Sequence, residues 1–560
     1  MPAGDDSGTG VQSSPVQIPR PAFPWVRPEA LLFTVLVLLH LVPLWAFPYF
    51  PSQDGPGHQA VAHILREYDQ PGEGLLREYY LLNRGFIPNW FIFFLLEKGL
   101  AFVTVPVAEK VLLSLYVILL PVSARFALRA VDPRGSPLAF LAFPFVYNHL
   151  FHLGFYNFCF SLAVFFFTVG FWWKRQDRWG PGPVAGLALL LLWAYFCHPV
   201  SLGMTLVAIF TLAGWRMLLE MRGKAGPFVV GDGLRTWIVG PFFASLPALL
   251  LLSFFLDHHL GRPVQDLPFV VKAWHLVSLN SLVSLDRRSL FVSISLAVLF
   301  SLAAVWLLAR RRKVAFQDGL LLAAVVSAVL FLVVPDGMGG GGRVSERLGL
   351  YPFFLLILWF VACKIPPAGR RWLAIGGAAV SLVLLALFWP RYAALDDQLD
   401  EYMTAADHIE PGHTLLTLCY APKGRGADGR DLAYRFKPFL HAQGRIAAKR
   451  GAVDLALYEA SEDYFPIYFR PSLDPYETIG IAGGLELEPP RAEFLTYPER
   501  TGGRVDYVLL WGLREEQREE PAVRSVLRQL AAGYEPVYTS PRELVRLYRR
   551  REASASPTAR

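Results

Sequence analysis

The chain first turns apolar at residues 29–50, EALLFTVLVLLHLVPLWAFPYF, and residues 52–58 follow with the polar turn SQDGPGH. A run of this length matches the ~20 residues that a helix needs to cross the hydrocarbon core of a bilayer. Arg20 and Arg27 precede the run and no small-residue cleavage site follows, so we predict a retained anchor with its N-terminal side in the cytoplasm. Asp54 then lies just beyond the first span, where a carboxylate near hydrocarbon is costly to hold.

The composition of the whole chain indicates a polytopic membrane protein. Of its 560 residues, 54% are hydrophobic and 18% are charged, and the mean hydropathy is +0.37. The net charge of +7 is modest and much of the basic excess lies between apolar runs, so nucleic acid is not an expected partner. The four cysteines are widely separated, which indicates neither a disulfide framework nor a cysteine metal site.

Apolar runs recur after the first one and predict an α-helical bundle of about eleven transmembrane helices. One other stretch, 88–106, carries Glu97 and Lys98 at its middle, where each charge would cost roughly 2.5–3.5 kcal/mol. We interpret it as an interfacial or re-entrant helix, because leaving it out puts every basic cluster between spans on the cytoplasmic side. The ten further runs lie at 110–129, 137–151, 153–173, 183–199, 200–219, 235–256, 289–309, 318–335, 347–363 and 372–390.

The chain divides into four parts by composition. Residues 1–28 predict a disordered cytoplasmic tail, and 29–390 predict the transmembrane domain, with its first extracytoplasmic loop at 51–108. Residues 391–550 have ordinary globular character and predict a small extracytoplasmic α/β domain, followed by a disordered tail at 551–560.

The C-terminal domain shows short apolar runs at 414–419, 505–511 and 543–548 that predict strands. The segments 434–450 and 516–532 have the spacing of helices. The domain contains neither a Walker loop nor a dinucleotide-binding fingerprint, so nothing in it indicates a nucleotide site.

Asp54 has two interpretations. Gly55 and Pro56 follow it and predict a helix start, so Asp54 can cap that helix and complement its dipole. The alternative is catalytic, with Asp54 in a partly desolvated pocket accepting a proton from a hydroxyl group. The alternation of spans places Asp54 and the other unusual polar residues at the extracytoplasmic ends, so any chemistry is expected to face outward.

The order of these parts resembles the GT-C superfamily of membrane glycosyltransferases. The resemblance rests on a first span, an extracytoplasmic loop that opens with the acidic Asp54, surface helices at 59–68 and 88–106, many spans and a C-terminal domain. It implies a cell-membrane enzyme that uses polyprenyl-phosphate-linked sugars, with Asp54 as general base of an inverting transfer. The superfamily often has a paired acidic motif at this place, whereas position 55 is Gly, so a divalent cation is left open and no metal ligand is assigned.

A donor phosphate would need cationic partners near the membrane surface. Arg343 and Arg347 follow a run of glycines and are spaced to share one helical face, and arginine can bind phosphate through two hydrogen bonds. The alternative is a hinge whose arginines reach lipid headgroups. Arg84 is a further candidate for the phosphate.

The sugar would need aromatic faces and hydrogen-bonding groups. The segment 147–157 is dense in both, although an aromatic belt at the membrane interface would have the same composition. The candidate substrate-binding residues are His58, Tyr147, Asn148, His152, Tyr156, Asn157 and His198. His198 also suits a structural role, as do His258 and His259, although Asp257 beside them could support a cation.

Two other classes of protein fit the span count. A transporter or flippase would have ionisable residues near the bilayer midplane and paired broken helices, whereas here the polar residues gather at the ends of spans. A non-catalytic scaffold would leave Asp54, Arg343 and Arg347 without a shared cavity. The catalytic hypothesis predicts one cavity lined by Asp54 and at least one of these arginines, with the C-terminal domain above it. The acceptor, which could be a glycan, lipid or protein, and the sugar leave no trace in the sequence.

Overall fold

The computed structural model describes residues 28–72, 74–177, 179–222, 238–259, 266–310, 314–337, 342–481 and 483–551. The predicted disordered tails at 1–28 and 551–560 lie almost wholly outside the described residues, as do the side chains of His258 and His259. The described chain is mostly helical, with a small sheet region near the C-terminus.

Helices make up most of the first four hundred residues. In chain order the helices are α1 (Pro28–Ala46), α2 (Gly55–Glu67), α3 (Gly74–Tyr79), α4 (Phe91–Phe94), α5 (Val105–Val131), α6 (His149–Leu153), α7 (Tyr156–Arg175), α8 (Pro181–Cys197), α9 (Pro199–Met221), α10 (Gly240–His259), α11 (Phe269–Val277), α12 (Ser289–Arg310), α13 (Asp318–Val333), α14 (Val344–Leu348), α15 (Tyr351–Ala362), α16 (Pro367–Met403), α17 (Gln443–Arg450), α18 (Pro475–Thr478), α19 (Tyr497–Thr501) and α20 (Pro521–Gly533).

Eight helical segments among the described residues are long and apolar enough to cross a membrane, so the expected count of eleven is wrong. The helices α8 and α13 are apolar but shorter, with 17 and 16 residues. The eight segments are Pro28–Ala46, Val105–Val131, Tyr156–Arg175, Pro199–Met221, Gly240–Asp257, Ser289–Arg310, Val344–Ala362 and Pro367–His408.

The predicted span at 137–151 is not an α-helix but mainly a 3₁₀-helix, Pro133–Phe145. Prolines inside it lack the N–H that a continuous α-helix requires, which disfavours an α-helix here. Its 13 residues extend about 26 Å at the ~2 Å rise of a 3₁₀-helix. The segment runs beside α1, because Ser136 Oγ donates to Glu29 at 3.1 Å and Tyr147 Oη donates to His40 O at 2.6 Å. It therefore runs in the same direction as α1.

The segment 88–106 is broken, in keeping with the prediction that it does not cross the membrane. It contains the short α4 and then a single π-helical turn, Leu95–Gly99, in which Glu97 pairs with Lys98 at 2.6 Å. Arg66 of α2 donates to carbonyls of this segment, including Val103 O at 2.8 Å. These hydrogen bonds hold the segment against α2 within the first loop.

The C-terminal domain contains a five-stranded mixed sheet in the order β3-β2-β5-β7-β6. Strands β3, β2 and β5 are parallel, and β7 pairs antiparallel with both β5 and β6. The three predicted strands are present, whereas the helix expected at 434–450 begins only at Gln443. The strands are β1 (Tyr80–Leu82), β2 (Thr414–Cys419), β3 (Val453–Asp454), β4 (Ile467–Phe469), β5 (Tyr507–Trp511), β6 (Tyr534–Thr539) and β7 (Val545–Arg550).

Two connections fix the C-terminal domain to the helical bundle. The 37-residue helix α16 leads from the bundle directly into the domain. Strand β1 of the first loop pairs antiparallel with β4 of the domain, with Leu81 opposite Tyr468. The domain therefore lies over the first loop and over the end of the bundle at which Asp54 is located.

Candidate functional site

Asp54 is buried, with only 3% of its surface exposed, immediately before α2. Its side chain makes no capping hydrogen bond to that helix, so capping is not what the carboxylate does. Asp54 Oδ1 instead accepts a hydrogen bond from Gln53 Nε2 at 3.0 Å and lies 3.8 Å from His441 Nε2. The carboxylate has no arginine or lysine ion-pair partner among the described residues.

The backbone of Asp54 is held by the turn that follows α6. Asp54 N–H donates to Leu153 O at 3.1 Å, and Gln53 N–H donates to His152 O at 3.0 Å. Gly154 has a φ of 88°, and a Cβ there would lie 2.8 Å from Asp54 N. Glycine is needed at this position both for the left-handed backbone and for the close approach to Asp54.

The C-terminal domain closes over this group. His441 precedes α17, and the next residues bring Gly444 so close that a Cβ there would lie 2.2 Å from Pro56 O. The turn Tyr458–Ser461 lies beside α17, with the Tyr458 ring centroid 4.7 Å from that of His441. We call this contact surface between α2, α17 and the turn Tyr458–Ser461 the interdomain junction.

Glu459 is the most unusual residue of the interdomain junction. Its side chain is fully buried, and neither carboxylate oxygen has a hydrogen-bond partner. The carboxylate rests against the first turn of α2, where a Cβ on Gly57 would lie 2.3 Å from Oε1. His58 Nδ1 is 3.4 Å from the same oxygen, and His58 Nε2 bonds to Gly154 O at 2.9 Å.

Burial governs the protonation of these groups. Burial raises the pKa of Asp54 to about 6, while His441 lowers it and the negative charge of Glu459 raises it. For His58, burial lowers the pKa, but the close approach and negative charge of Glu459 outweigh this effect and the net pKa is raised. Asp54 is therefore ionised at neutral pH but a much stronger base than an exposed aspartate.

The three candidate phosphate-binding arginines have different surroundings. Arg343 pairs with Glu346 at 3.3 Å, and Glu346 also receives Arg435 of the C-terminal domain at 2.9 Å. Arg347 stacks on the ring of Phe155 at 4.6 Å and donates to the Gly342 carbonyl at 2.5 Å. It has no carboxylate partner among the described residues, and neither it nor Arg343 contacts Asp54 directly.

Arg84 lies apart from these groups. Its side chain is 75% exposed and 3.7 Å from the equally exposed Asp69. None of its described contacts involves Asp54 or the other two arginines. The structure thus does not bring Arg84 into the group around Asp54.

The candidate sugar-binding residues before Gly154 bond within the protein. Tyr147 donates to His40 O, and Asn148 accepts from Phe151 N–H as the N-cap of α6. His152 Nε2 bonds to Tyr392 Oη at 2.7 Å. Their hydrogen-bonding groups fix α6, whose last carbonyl groups hold the backbone at Gln53 and Asp54.

The later candidates also have structural partners. Tyr156 donates to Ser52 Oγ at 2.7 Å. Asn157 accepts from Ile92 N–H at 3.0 Å and so fixes the start of α4. His198 is the N-cap of α9 and accepts from Val200 N–H at 3.2 Å. Of the seven candidates, His58 is the one within ion-pair distance of Glu459.

A second polar cluster at the interdomain junction is centred on Glu109 of α5. Gln59 Nε2 donates to Glu109 Oε2 at 2.5 Å, and Arg445 Nη1 lies 3.3 Å from the same atom. Arg445 Nη2 also donates to Phe50 O at 2.8 Å. Glu109 and Arg445 are both buried, so this ion pair joins the bundle to the C-terminal domain away from solvent.

His441, Glu459, Glu109 and Arg445 were not predicted from the sequence. The three that belong to or face the C-terminal domain lie in segments of ordinary polar composition, where no local pattern separates them from solvated residues. Glu109 gives one signal, because it is a charge at the beginning of an apolar run. Only the packing of the C-terminal domain against α2 brings His441 to Asp54, Glu459 to His58 and Arg445 to Glu109.

A metal ion has little support in the described part of the chain, where no group of three or more His, Cys, Asp or Glu residues could hold one. The predicted cavity shared by Asp54 and an arginine is not among the two described cavities. These lie on the C-terminal domain along α20, with volumes of about 390 and 630 Å³. The group around Asp54 is closed in this structure.

Comparisons with known protein families and with characterised proteins give no match to this chain.

Proposed function

We propose that this chain is a membrane glycosyltransferase that moves a sugar from a polyprenyl-phosphate-linked donor to an acceptor hydroxyl, with Asp54 as general base. One observation carries the proposal: the Asp54 carboxylate is buried, makes no cap bond, and has its pKa raised to about 6. A general base works best when its pKa lies near the working pH. A carboxylate serving only to cap a helix would bond to the backbone N–H groups of α2.

The transfer balances as a single displacement. The acceptor oxygen attacks the anomeric carbon while Asp54 takes the hydroxyl proton, and the bond from that carbon to the phosphate oxygen breaks. Polyprenyl phosphate leaves with the bonding electron pair, and the configuration of the sugar inverts. Reaction at this surface requires the interdomain junction to open, since Asp54 is 3% exposed.

Arg347 is the best-placed cation for the donor phosphate. Arg347 stacks on the ring of Phe155. The residue before Phe155 is Gly154, which packs against the backbone of Asp54, so the turn at Gly154 and Phe155 connects the cation to the base. Arg343 and Arg435 already share Glu346, whereas Arg347 has no described carboxylate partner. A guanidinium group that is not held in a direct ion pair is suited to bind an incoming phosphate.

The cell-membrane location and the orientation belong to the same proposal. Eight helical segments in the described part of the chain are long and apolar enough to span, and Asp54 and the C-terminal domain lie at the same end of the bundle. The basic clusters predict that this end is extracytoplasmic. A cysteine introduced at the exposed Glu477 should react with a membrane-impermeant thiol reagent in intact cells.

The test uses purified protein in lipid nanodiscs with polyprenyl-phosphate sugars, and it measures release of polyprenyl phosphate. Asp54→Asn should lower the rate by about 10²–10⁴-fold, the usual contribution of a general base, and should leave thermal unfolding unchanged. Asp69→Asn is the matched control because Asp69 is exposed. Full activity of Asp54→Asn would refute the assignment. Movement of labelled lipid between leaflets without release of polyprenyl phosphate would favour the transporter or flippase instead.

A further inference from the structure

We propose that Glu459 and His58 form a buried ion pair that acts as one positioning unit for Asp54, through which the C-terminal domain controls the transfer reaction. The inference rests on the proposed function, because it assigns how the base of that reaction is regulated. Glu459 belongs to the C-terminal domain, whereas His58 and Asp54 belong to the first loop.

The geometry connects the pair to Asp54 through one residue. His58 Nδ1 lies 3.4 Å from Glu459 Oε1, and its other nitrogen bonds to Gly154 O at 2.9 Å. The same Gly154 packs against the backbone of Asp54. A displacement of Glu459 therefore reaches Asp54 along the imidazole and the glycine backbone.

Glu459 is buried without a hydrogen bond to either carboxylate oxygen, and a purely structural role does not explain this. A buried carboxylate without hydrogen bonds costs free energy, and native structures hold few of them. Two positive groups offset the buried charge of Glu459: the His58 side chain and the N-terminal end of the α2 dipole at Gly57. Both are in the first loop, so the carboxylate is compensated only while the C-terminal domain is seated on α2.

The effect of each partner on Asp54 has a definite sign. The negative Glu459 favours the protonated form of Asp54, and the positive His58 favours the ionised form. Removing either one alone should move the titration of Asp54 in opposite directions, and removing both should largely cancel. The other titratable groups facing Asp54 or Glu459 are His441, Tyr458, Tyr476 and Asp454, and all of them stay unchanged in these variants.

The test compares the pH–rate profiles of the wild type, Glu459→Gln, His58→Gln and the double variant. The acid-side midpoint should fall by about one pH unit in Glu459→Gln, rise by about one unit in His58→Gln, and return close to the wild-type value in the double variant. Glu477→Gln is the control, because Glu477 is an exposed carboxylate of the same domain. It should leave the midpoint unchanged.

A second readout does not depend on turnover. Carbodiimide labelling of Asp54, followed by mass spectrometry across the pH range, reports its titration in each folded variant. The same opposite displacements are expected there. Midpoints that stay at the wild-type value in both single variants, whether or not the rate falls, would overturn the positioning role. If Asp54→Asn is fully active while the labelling midpoints move, the proposed function fails and the ion pair stands.

Discussion

The two polar clusters of the interdomain junction differ in how completely they are bonded. Around Glu109, the carboxylate receives Gln59 and Arg445, and Arg445 also bonds to the chain at Phe50. Around Asp54, the carboxylate has one neutral amide and a histidine at 3.8 Å, and Glu459 nearby has no hydrogen bond. Both clusters are buried at the same contact between the bundle and the C-terminal domain.

This difference suggests separate roles for the two clusters: one attaches the C-terminal domain, and the other reacts. A buried carboxylate that is paired with a cation and hydrogen-bonded, as Glu109 is, holds two parts of a protein in one arrangement and is not free to react. Carboxylates that are buried but under-bonded keep a raised affinity for protons, which is what a base requires. We therefore propose that Glu109 and Arg445 attach the domain, and that Asp54 is the group that reacts.

The largest stability effect is expected at the attachment cluster. Arg445→Met leaves Glu109 buried without its cation and should cost about 3–5 kcal/mol of unfolding free energy. Thermal unfolding in detergent, with protease sensitivity of the C-terminal domain, measures the loss. The double variant Glu109→Met/Arg445→Met should recover most of it, because no unpaired charge remains. An Arg445→Met protein as stable as the wild type would remove the distinction between the two clusters.

Arg347 tests the less completely bonded region near Asp54, since it is a cation with no described carboxylate partner. Arg347→Gln should weaken donor binding by about 1.5–3 kcal/mol, or roughly 10–150-fold in KM, the range for a hydrogen bond to a charged group. Stability should change little because no ion pair is broken. Arg84→Gln serves as the control and should leave KM unchanged, since Arg84 is exposed and remote from the site. Equal effects of the two variants would exclude the assignment of Arg347.

Gly444 tests how closely the junction must fit. A Cβ at this position would lie 2.2 Å from Pro56 O, so Gly444→Ala should force α17 away from α2 at a cost of about 1–3 kcal/mol. The displacement should lower activity together with stability, because α17 follows His441 directly. Gly412→Ala is not a matched control, since its φ of 69° adds backbone strain. Gly342 has no neighbour within 4 Å of its Cβ position, and its replacement by Ala should have no such steric effect.

The last expected effect is a pH dependence of stability from Asp454, beside the junction. Burial raises the pKa of Asp454 to about 8, although the Ala456 N–H bond lowers it in part. Since the folded pKa exceeds the ordinary value of 3.8, its contribution to stability is full below pH 3.8 and is lost as pH rises to about 8. The slope is at most about 1.4 kcal/mol per pH unit. Denaturant unfolding between pH 5 and 8 should show a steeper loss in the wild type than in Asp454→Asn.

The sequence predicted some elements because their signals are local. Strand 414–419 and the first span depend on short apolar runs, and both are found where expected. The run 137–151 was mistaken for an α-helix because hydropathy does not register how its prolines change the helix type. Candidate residues such as Asn148 and His198 were selected for polarity, which is equally typical of a helix cap.

By itself, the sequence determined that this is a largely apolar helical chain with a small C-terminal sheet, and that Asp54 follows the first span. These features follow from hydrophobic periodicity over short windows, which needs no knowledge of distant residues. Only the tertiary structure decided that His441 and Glu459 approach Asp54, and that Arg445 pairs with Glu109. Those contacts join segments far apart along the chain, and the close packing of α17 on α2 at Gly444 brings them together.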